Sequence, residues 1–420
     1  MKNNASQSVG GSNLSGIAQY NERLVLQLIR RAGSLTKAEI ARITNLSAQT
    51  ASVIINRLLD EKLLRKEERR YETGKVGQPA VPIALNPTGA YSLGVKIGRS
   101  GLDVLLINFT GDILKRCGFS YPYPDPDFIF PTIRDSIAEL TKNFTAAQTK
   151  RLLGIGVAAP YGLGGWQQEA AIPDAITARW NGLDIKEIIQ QDQTLPVWLV
   201  NDATAACIAS LEFNNSEKFN NYLYIFVGTF IGGGIIMNRT LYCGSFNNAG
   251  AVGSMPVPSS YTAEDMRNGA TVQLINCASR YLLNKRFQAL GLDTDTMLNG
   301  LANNQTEAPF DQAQVLFDQW LNQAAPAIAY AIVAAVSVID FEGVIIDGLL
   351  PPALTKKLTD AVQIAMTQLD LEGLTLPKVT AGTIGNDARA LGGAFLSFYT
   401  NFTPDRNILI SGEQNVSHAF

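Results

Sequence analysis

The hydrophobic period changes once along the chain, near Asn86-Pro87, and that change limits what it can fold into. Before it, apolar residues recur at helical spacing in three short blocks. After it, short Val/Ile/Leu runs bounded by Gly, Pro or Asp/Asn alternate with helical stretches through the remaining 330 or so residues. Strands alternating with helices predict a mainly parallel or mixed sheet packed on both faces, and that length holds two such lobes. Residues 1–19 form an expected flexible arm, 20–87 a first domain, and 88–200 a first α/β lobe completed by a helix at about 388–402. Residues 201–387 are expected to form a second lobe that also oligomerises, with 403–420 a tail.

Within the first domain, Leu24, Leu26, Leu28 and Ile29 predict a helix opened near Asn21. Thr36 followed by Glu39 is a capping box for a second helix with Ile40 and Ile43 as its apolar stripe. Asn45-Leu46-Ser47 makes the turn. Ser47 caps a third helix, Ala48 to about Glu61, with Val53, Ile54, Leu58 and Leu59 expected inward and Gln49, Thr50, Ser52, Asn56 and Arg57 outward. Two short helices joined by a tight turn make a helix-turn-helix whose last helix fits a major groove. Leu63–Lys66, the glycine-containing loop 73–79 and Val81–Leu85 read as a β-hairpin wing, its loop from Lys75 to Gln78 reaching an adjacent minor groove. Charge supports this: residues 1–90 hold 13 Lys/Arg and 7 Asp/Glu, net +6, and the rest of the chain is net −9. Arg65, Lys66, Arg69, Arg70 and Lys75 equally suit a solvated charged face.

The same composition excludes several chemistries. One histidine, His418, leaves Ser-His or Cys-His catalysis and His-ligated metals almost no material. Cys117, Cys207, Cys243 and Cys277 have no C-x-x-C spacing, which fits reduced cytosol and a cytoplasmic chain with no metal. The longest apolar run, Ala324–Ile339, contains Pro326 and Ser337 and reads as a buried helix, not a membrane span. No cofactor is expected.

Past the first domain, glycine or Asn/Asp turns recur at the ends of expected strands: Gly154–Pro160, Val200-Asn201-Asp202-Ala203, Gly228–Gly234, and Thr383–Ala388. Open α/β sheets bind ligands at such ends. A glycine-rich turn at Gly228, Thr229, Gly232 and Gly233 can bring backbone N–H groups close to a phosphate, though glycines there also serve as plain turn formers. Asn201-Asp202 is equally a helix cap.

Taken in order, the helix-turn-helix, Leu93–Arg99, Gly154–Pro160, Val200–Ala203, Gly228–Gly234, Asn248–Gly253 and Ile384–Ala388 make the chain resemble the ROK family of sugar-responsive repressors and sugar kinases over roughly residues 20–400. The resemblance implies a winged helix-turn-helix followed by a two-lobed actin-like, ribonuclease H-like ATPase-type fold, assembled as a homodimer or homotetramer. It also implies that Asp202 matches the kinases' base for the sugar hydroxyl and Asn201 a residue that holds the sugar. Where the kinases carry a metal-binding Asp, this chain has Lys96; where they carry Ala-Gly-Glu-Ile-Gly-His, it has Ala249–Ser254; and the cysteine-rich zinc motif is missing. A base without its metal-site partner cannot run phosphoryl transfer.

The expectation is therefore a DNA-binding transcriptional regulator, not an enzyme. Operator DNA would be read by Ser47, Gln49, Thr50, Ser52, Asn56, Arg57, Lys75 and Gln78. A small carbohydrate-like effector would be held by Asn201, Asp202, Asn248, Gly250, Ser254 and Lys96, with Gly228, Thr229, Gly232 and Gly233 a vestigial phosphate loop. Two alternatives stand beside it: a sugar kinase with an accessory DNA-binding head, and a DNA-binding protein whose body only oligomerises.

Overall fold

The computed structural model describes residues 14–68, 81–160, 172–213, 219–259 and 270–404. The wing loop with Lys75 and Gln78, most of the arm and most of the tail lie outside the described residues. Two compact units divide the chain. Unit one holds residues from 1–157, 182–200 and 393–420, and unit two those from 158–181 and 201–392.

Unit one begins with helix α1, Leu14–Ala32, seven residues earlier than the sequence period suggests and so within the expected arm. Val25, Leu26 and Ile29 are buried on its inner face. A two-residue strand β1, Ser34–Leu35, leads to helix α2, Lys37–Thr44. Its Thr36–Glu39 capping box is formed reciprocally, and Asn45 ends the helix in the left-handed region at φ 55. Asn tolerates that conformation because its short side chain adds little strain. Ser47 then accepts from the Thr50 N–H and opens helix α3, Ala48–Asp60. Each such cap contributes about 1 kcal/mol. Strands β2, Leu64–Lys66, and β3, Ile83–Leu85, complete a small antiparallel sheet of order β1-β3-β2.

Two apolar residues expected inward are not. Ile43 is 47% exposed and Val53 63% exposed, while Ala51, Ile54, Ile55 and Leu58 fill the inner face of α3. Val53 stands four residues after Gln49, on the helix face that Gln49 and Asn56 share.

The larger sheet of unit one has the order β6-β5-β4-β7-β8. It comprises β4 (Tyr91–Ile97), β5 (Gly101–Asn108), β6 (Ile113–Ser120), β7 (Leu152–Ala159) and β8 (Val197–Asn201). Antiparallel pairing of β4 with β5 sets Lys96 opposite Asp103. Helix α4, Pro126–Thr141, buries Ile129, Ile133, Ile137 and Leu140. Gly154 and Gly156 lie inside β7, where a Cβ would meet Trp198 at 2.3 Å and the Gly393 carbonyl oxygen at 1.9 Å, so these are packing glycines and not turn formers.

Unit two is built on a five-stranded mixed sheet of order β11-β10-β9-β14-β15. Its strands are β9 (Tyr222–Val227), β10 (Ile231–Met237), β11 (Thr240–Tyr242), β14 (Gly343–Gly348) and β15 (Lys378–Ala381), separated in the chain by the short pair β12 (Pro256–Pro258) and β13 (Thr271–Gln273). β14 runs parallel to β9 and β15, and β10 antiparallel to β9. Between them in sequence, the Phe310–Val336 helix buries Trp320, Phe317 and the alanine-rich run Ala324–Ala331. Among the described residues no helix is long and apolar enough to cross a membrane.

The glycine stretch after β9 departs from the expected turn. Gly232, Gly233 and Gly234 sit within β10, paired to Phe226, Ile225 and Tyr224. A Cβ on Gly232 would lie 2.8 Å from Ala203 Cβ, and one on Gly234 2.7 Å from Cys207 Cβ. The missing side chains let the Asp202–Phe213 helix settle onto the strand. The Ala388–Phe402 helix uses the same device: a Cβ on Gly392 would come within 1.7 Å of the Ala205 carbonyl oxygen. Backbone on both sides of that contact is held in helices and cannot swing aside. Gly392→Ala is therefore expected to cost at least about 2 kcal/mol in urea denaturation. A loss under about 0.5 kcal/mol would show that the two helices are not packed backbone to backbone.

Candidate functional site

The candidate nucleic-acid interface is the outer face of α3. Gln49, Thr50, Val53, Asn56 and Arg57 are exposed along it, and Ser47 lies at its start. Ser52 is half-buried. Several of these side chains already have partners in the chain. Ser47 Oγ accepts from the Thr50 N–H at 3.0 Å and lies 2.8 Å from Thr50 Oγ1. Lys37 Nζ donates to Asn56 Oδ1 at 2.7 Å, and Arg57 pairs with Glu22 on α1 and with Glu61. The contacts fix α3 against α1 and α2 and leave an outward strip that mixes an amide, a hydroxyl and the Val53 isopropyl group. Such a strip suits base edges: amides pair with adenine, and an apolar group meets the thymine methyl. Val53 is the residue that sequence reasoning missed. Its spacing from Gln49 was the available signal, overridden by its hydrophobicity.

In unit two, Asn201 and Asp202 stand where β8 passes into the Asp202–Phe213 helix. Asn201 Oδ1 accepts from the Ala203 N–H at 3.0 Å, so that side chain caps the helix. Asp202 Oδ2 is met by Arg389 Nη1 at 3.4 Å, and the Arg389 guanidinium lies 5.2 Å from the centre of the Phe226 ring. Arg389 is 7% exposed, and its Nε is buried without a hydrogen-bond partner. Burying a charge with one long contact is costly, and the ring face recovers part of that cost. Arg389 had a local signal too. It sits in the first turn of a helix, where the dipole disfavours a cation, so a carboxylate partner was to be expected.

The other expected effector residues each have a local setting of their own. Gly250, at φ +78, lies on Gly234 so closely that a Cβ would be 2.5 Å from the Gly234 Cα, and Gly253 lies as closely on Ile231. Ser254 ends a short 3-10 turn and is exposed, as is Asn248. Val252, from this loop, covers Gly233, whereas Gly232 and Gly234 face the Asp202–Phe213 helix. Alternation along β10 puts the loop and that helix on opposite faces of the strand. Lys96 belongs to unit one and its ammonium lies 3.0 Å from Asp103 Oδ2, both side chains mostly buried.

The expected phosphate loop is a tight hairpin between β9 and β10. Its Gly228 N–H donates to the Phe226 carbonyl, and the Gly228 and Thr229 carbonyls accept from the N–H groups of Arg280 and Tyr281, which open the Arg280–Gln288 helix. Gly232 and Gly233 are strand residues and take no part in a turn.

A cleft of about 440 Å³ opens at the carboxyl end of β14, with Asp295, Asn299, Asp347, Leu350, Thr355 and Asn386 on its wall. Asp347 is 3% exposed. Its Oδ1 accepts from the N–H groups of Gly348 and Gly385, and its Oδ2 from the Tyr224 hydroxyl. Burial pushes the Asp347 carboxyl above its ordinary range against the pull of those donors. A carboxyl raised in the folded state takes up a proton on folding, so its contribution to stability is greatest in acid and falls as pH rises through the folded value. Relative to Asp347→Asn, the unaltered chain should therefore gain stability between pH 7 and pH 4.5. A stability difference that does not change with pH would contradict the raised carboxyl.

Comparison with known proteins places these features. Residues 92–398 match the model of the ROK family, and residues 19–71 that of the MarR family. The chain is 25% identical over 244 residues to the xylose repressor of Bacillus spizizenii, an overlap of 57% of this chain and 61% of that one. The match thus spans about three-fifths of that relative's length. Among solved structures, the chain is similar to a ROK family transcriptional regulator, a homologue of the E. coli MLC protein. The TM-score is 0.65 at 18% identity, over 94% of this chain and 100% of that one. A ROK family glucokinase from Streptomyces griseus, solved with glucose and AMPPNP, gives a TM-score of 0.54 at 21% identity, over 73% of this chain and 99% of that one. At these identities the likeness shows the fold: a winged helix-turn-helix ahead of an actin-like α/β body.

Proposed function

The chain belongs to the ROK family, and we propose that it is a sugar-responsive transcriptional repressor whose body has no kinase activity. The observation that carries the reading is the exposed strip on α3 in a chain segment that matches a DNA-binding family. A helix capped by Ser47 and tied to α1 and α2 is rigid enough to present Gln49, Thr50 and Val53 to a major groove. Phosphate contacts come from the basic wing, and a homodimer reads two half-sites about one helical turn apart, or multiples of it. The similarity to a protein named xylose repressor supports a neutral monosaccharide as effector, with Asn201 and Asp202 as its polar anchors.

The kinase reading has the glucokinase-like fold in its favour. Two contacts of this chain weigh against it. Lys96, at the position of the kinases' metal-binding carboxylate, pairs with Asp103, and Arg389 engages the carboxylate that would take the hydroxyl proton. Phosphoryl transfer depends on metal-assisted charge stabilisation, which neither arrangement offers. Turnover of ATP with glucose or xylose that Asp202→Asn abolishes would restore the enzyme reading.

On DNA, Gln49→Ala and Val53→Ala are expected each to relax preference at one base pair, by about 1–3 kcal/mol for the amide. Lys75→Ala should instead weaken every sequence alike and reduce the salt slope by about one. Competition binding on a randomised operator library distinguishes these, and unchanged preferences in both α3 variants would rule out this face.

For the effector, D-xylose heads a panel of neutral sugars screened by thermal shift. A ligand at a hundred times its dissociation constant adds about 2.7 kcal/mol of stability. The expected result is a rise in melting temperature with one sugar that Asp202→Ala removes. A rise that survives Asp202→Ala would place the sugar elsewhere, and no rise with any sugar would favour a body that only oligomerises.

A further inference from the structure

The Ala388–Phe402 helix carries two sets of contacts, one at each end. In its first turn Arg389 holds Asp202, against the Phe226 ring, within unit two. Near its far end, within unit one, the rings of Phe395 and Phe398, together with Phe109, surround the guanidinium of Arg30 from α1. The centroid distances are 4.9, 5.9 and 5.0 Å. Arg30 also donates to the Phe109 carbonyl at 2.8 Å. One turn further on, Arg23 of α1, 8% exposed, donates to the carbonyls of Thr400 and Thr403 at 3.2 and 3.1 Å. Glu22, beside Arg23, is the partner of Arg57 on the DNA-facing helix. A cation enclosed by aromatic rings and carbonyls is attracted to the ring faces more strongly when desolvated than in water, so the grip on α1 is substantial.

We propose that this helix is the transmitter by which occupancy at Asp202 reaches the DNA-reading segment, with Arg389 a positioning residue at one end and the Arg30 cage at the other. The inference rests on the reading that Asp202 anchors the effector. The helix dipole disfavours a cation in the first turn, so the bond to Asp202 is what secures that end. A ligand hydroxyl that takes Asp202 competes for the carboxylate and releases Arg389. The freed turn leads into Gly392-Gly393, whose backbone packs directly on Ala205 and on Gly156, so a shift of the first turn is passed along the helix and not absorbed there. Ser92 holds the next stretch to β4 by donating to the Ala394 carbonyl at 2.6 Å, with Ser397 Oγ 2.7 Å from Ser92 Oγ. The cage residues Phe395 and Phe398 lie in that stretch. The change at α1 is therefore expected as a loss of protection rather than a large displacement.

Hydrogen exchange on the full chain, without DNA or sugar, tests this directly. Arg389→Met should speed exchange in residues 22–31 of α1 roughly threefold or more, while β4 and β5 keep their protection. Arg389→Lys, which retains the charge, should restore most of it. Combined with Arg30→Met, Arg389→Met should add nothing further, because both act through one contact chain. Unchanged α1 exchange in Arg389→Met, or effects of the two variants that simply add, would overturn the proposal. Should Arg389→Met lose β4–β5 protection as well, Asp202→Asn breaks the same ion pair with little change in volume and is read in the same way. Sugar binding with an unresponsive α1 sinks the transmitter alone. A responsive α1 with no sugar binding leaves the transmitter standing and removes the effector reading.

Discussion

Close approach of backbone to backbone at glycine is the constraint on which unit two depends. Gly232 and Gly234 let the Asp202–Phe213 helix down onto β10, Gly250 lets the following loop down onto the same strand, and Gly392 sets a second helix against Ala205. Gly392 gives up about 1 kcal/mol of intrinsic preference relative to alanine in its helix, and Gly232 and Gly234 a comparable amount in their strand. In return Asp202 and Arg389 are carried on two helices whose separation has almost no slack. Their ion pair follows from that packing. The same packing commits Gly232 and Gly234 to seating the helix, while Gly233 lies under Val252.

Unit one depends on a different kind of contact. Its helix-turn-helix owes its geometry to local capping by Thr36, Asn45 and Ser47. Its attachment comes from long-range arginine contacts: Arg23 and Arg30 reach residues far along the chain, and Arg151 donates to the carbonyls of Gly89 and Glu61. A helix-turn-helix held this way packs as part of unit one and not as an independent bead on a linker.

The sequence makes legible whatever is decided locally. The capping box, the Ser47 cap, the left-handed Asn45 turn and the strands from Tyr91, Leu152, Tyr222 and Gly343 can all be read from a few adjacent residues. What stays hidden depends on distant partners. β6 is not legible because Ile113–Ser120 is an exposed edge strand without sustained alternation. Hydrophobicity alone points Val53 inward, yet Ala51, Ile54, Ile55 and Leu58 fill the inner face of α3. The role of Gly232–Gly234 required knowing which helix lies above them. Arg389 meets a carboxylate 187 residues away in sequence, and only the unfavourable charge in a first helical turn hinted at it.

The central claim is that one chain binds DNA through α3 and a sugar at Asp202, and that the two events are coupled. Thermodynamic linkage makes the coupling measurable from either side: whatever factor the sugar applies to operator affinity, the operator must apply to sugar affinity, expected in the range of about 5- to 150-fold. The decisive measurement is calorimetric titration of the stabilising sugar into the chain alone and into the chain saturated with operator. The account predicts weaker sugar binding on operator, by the same factor that the sugar weakens DNA binding. Equal sugar affinities with and without operator would contradict it.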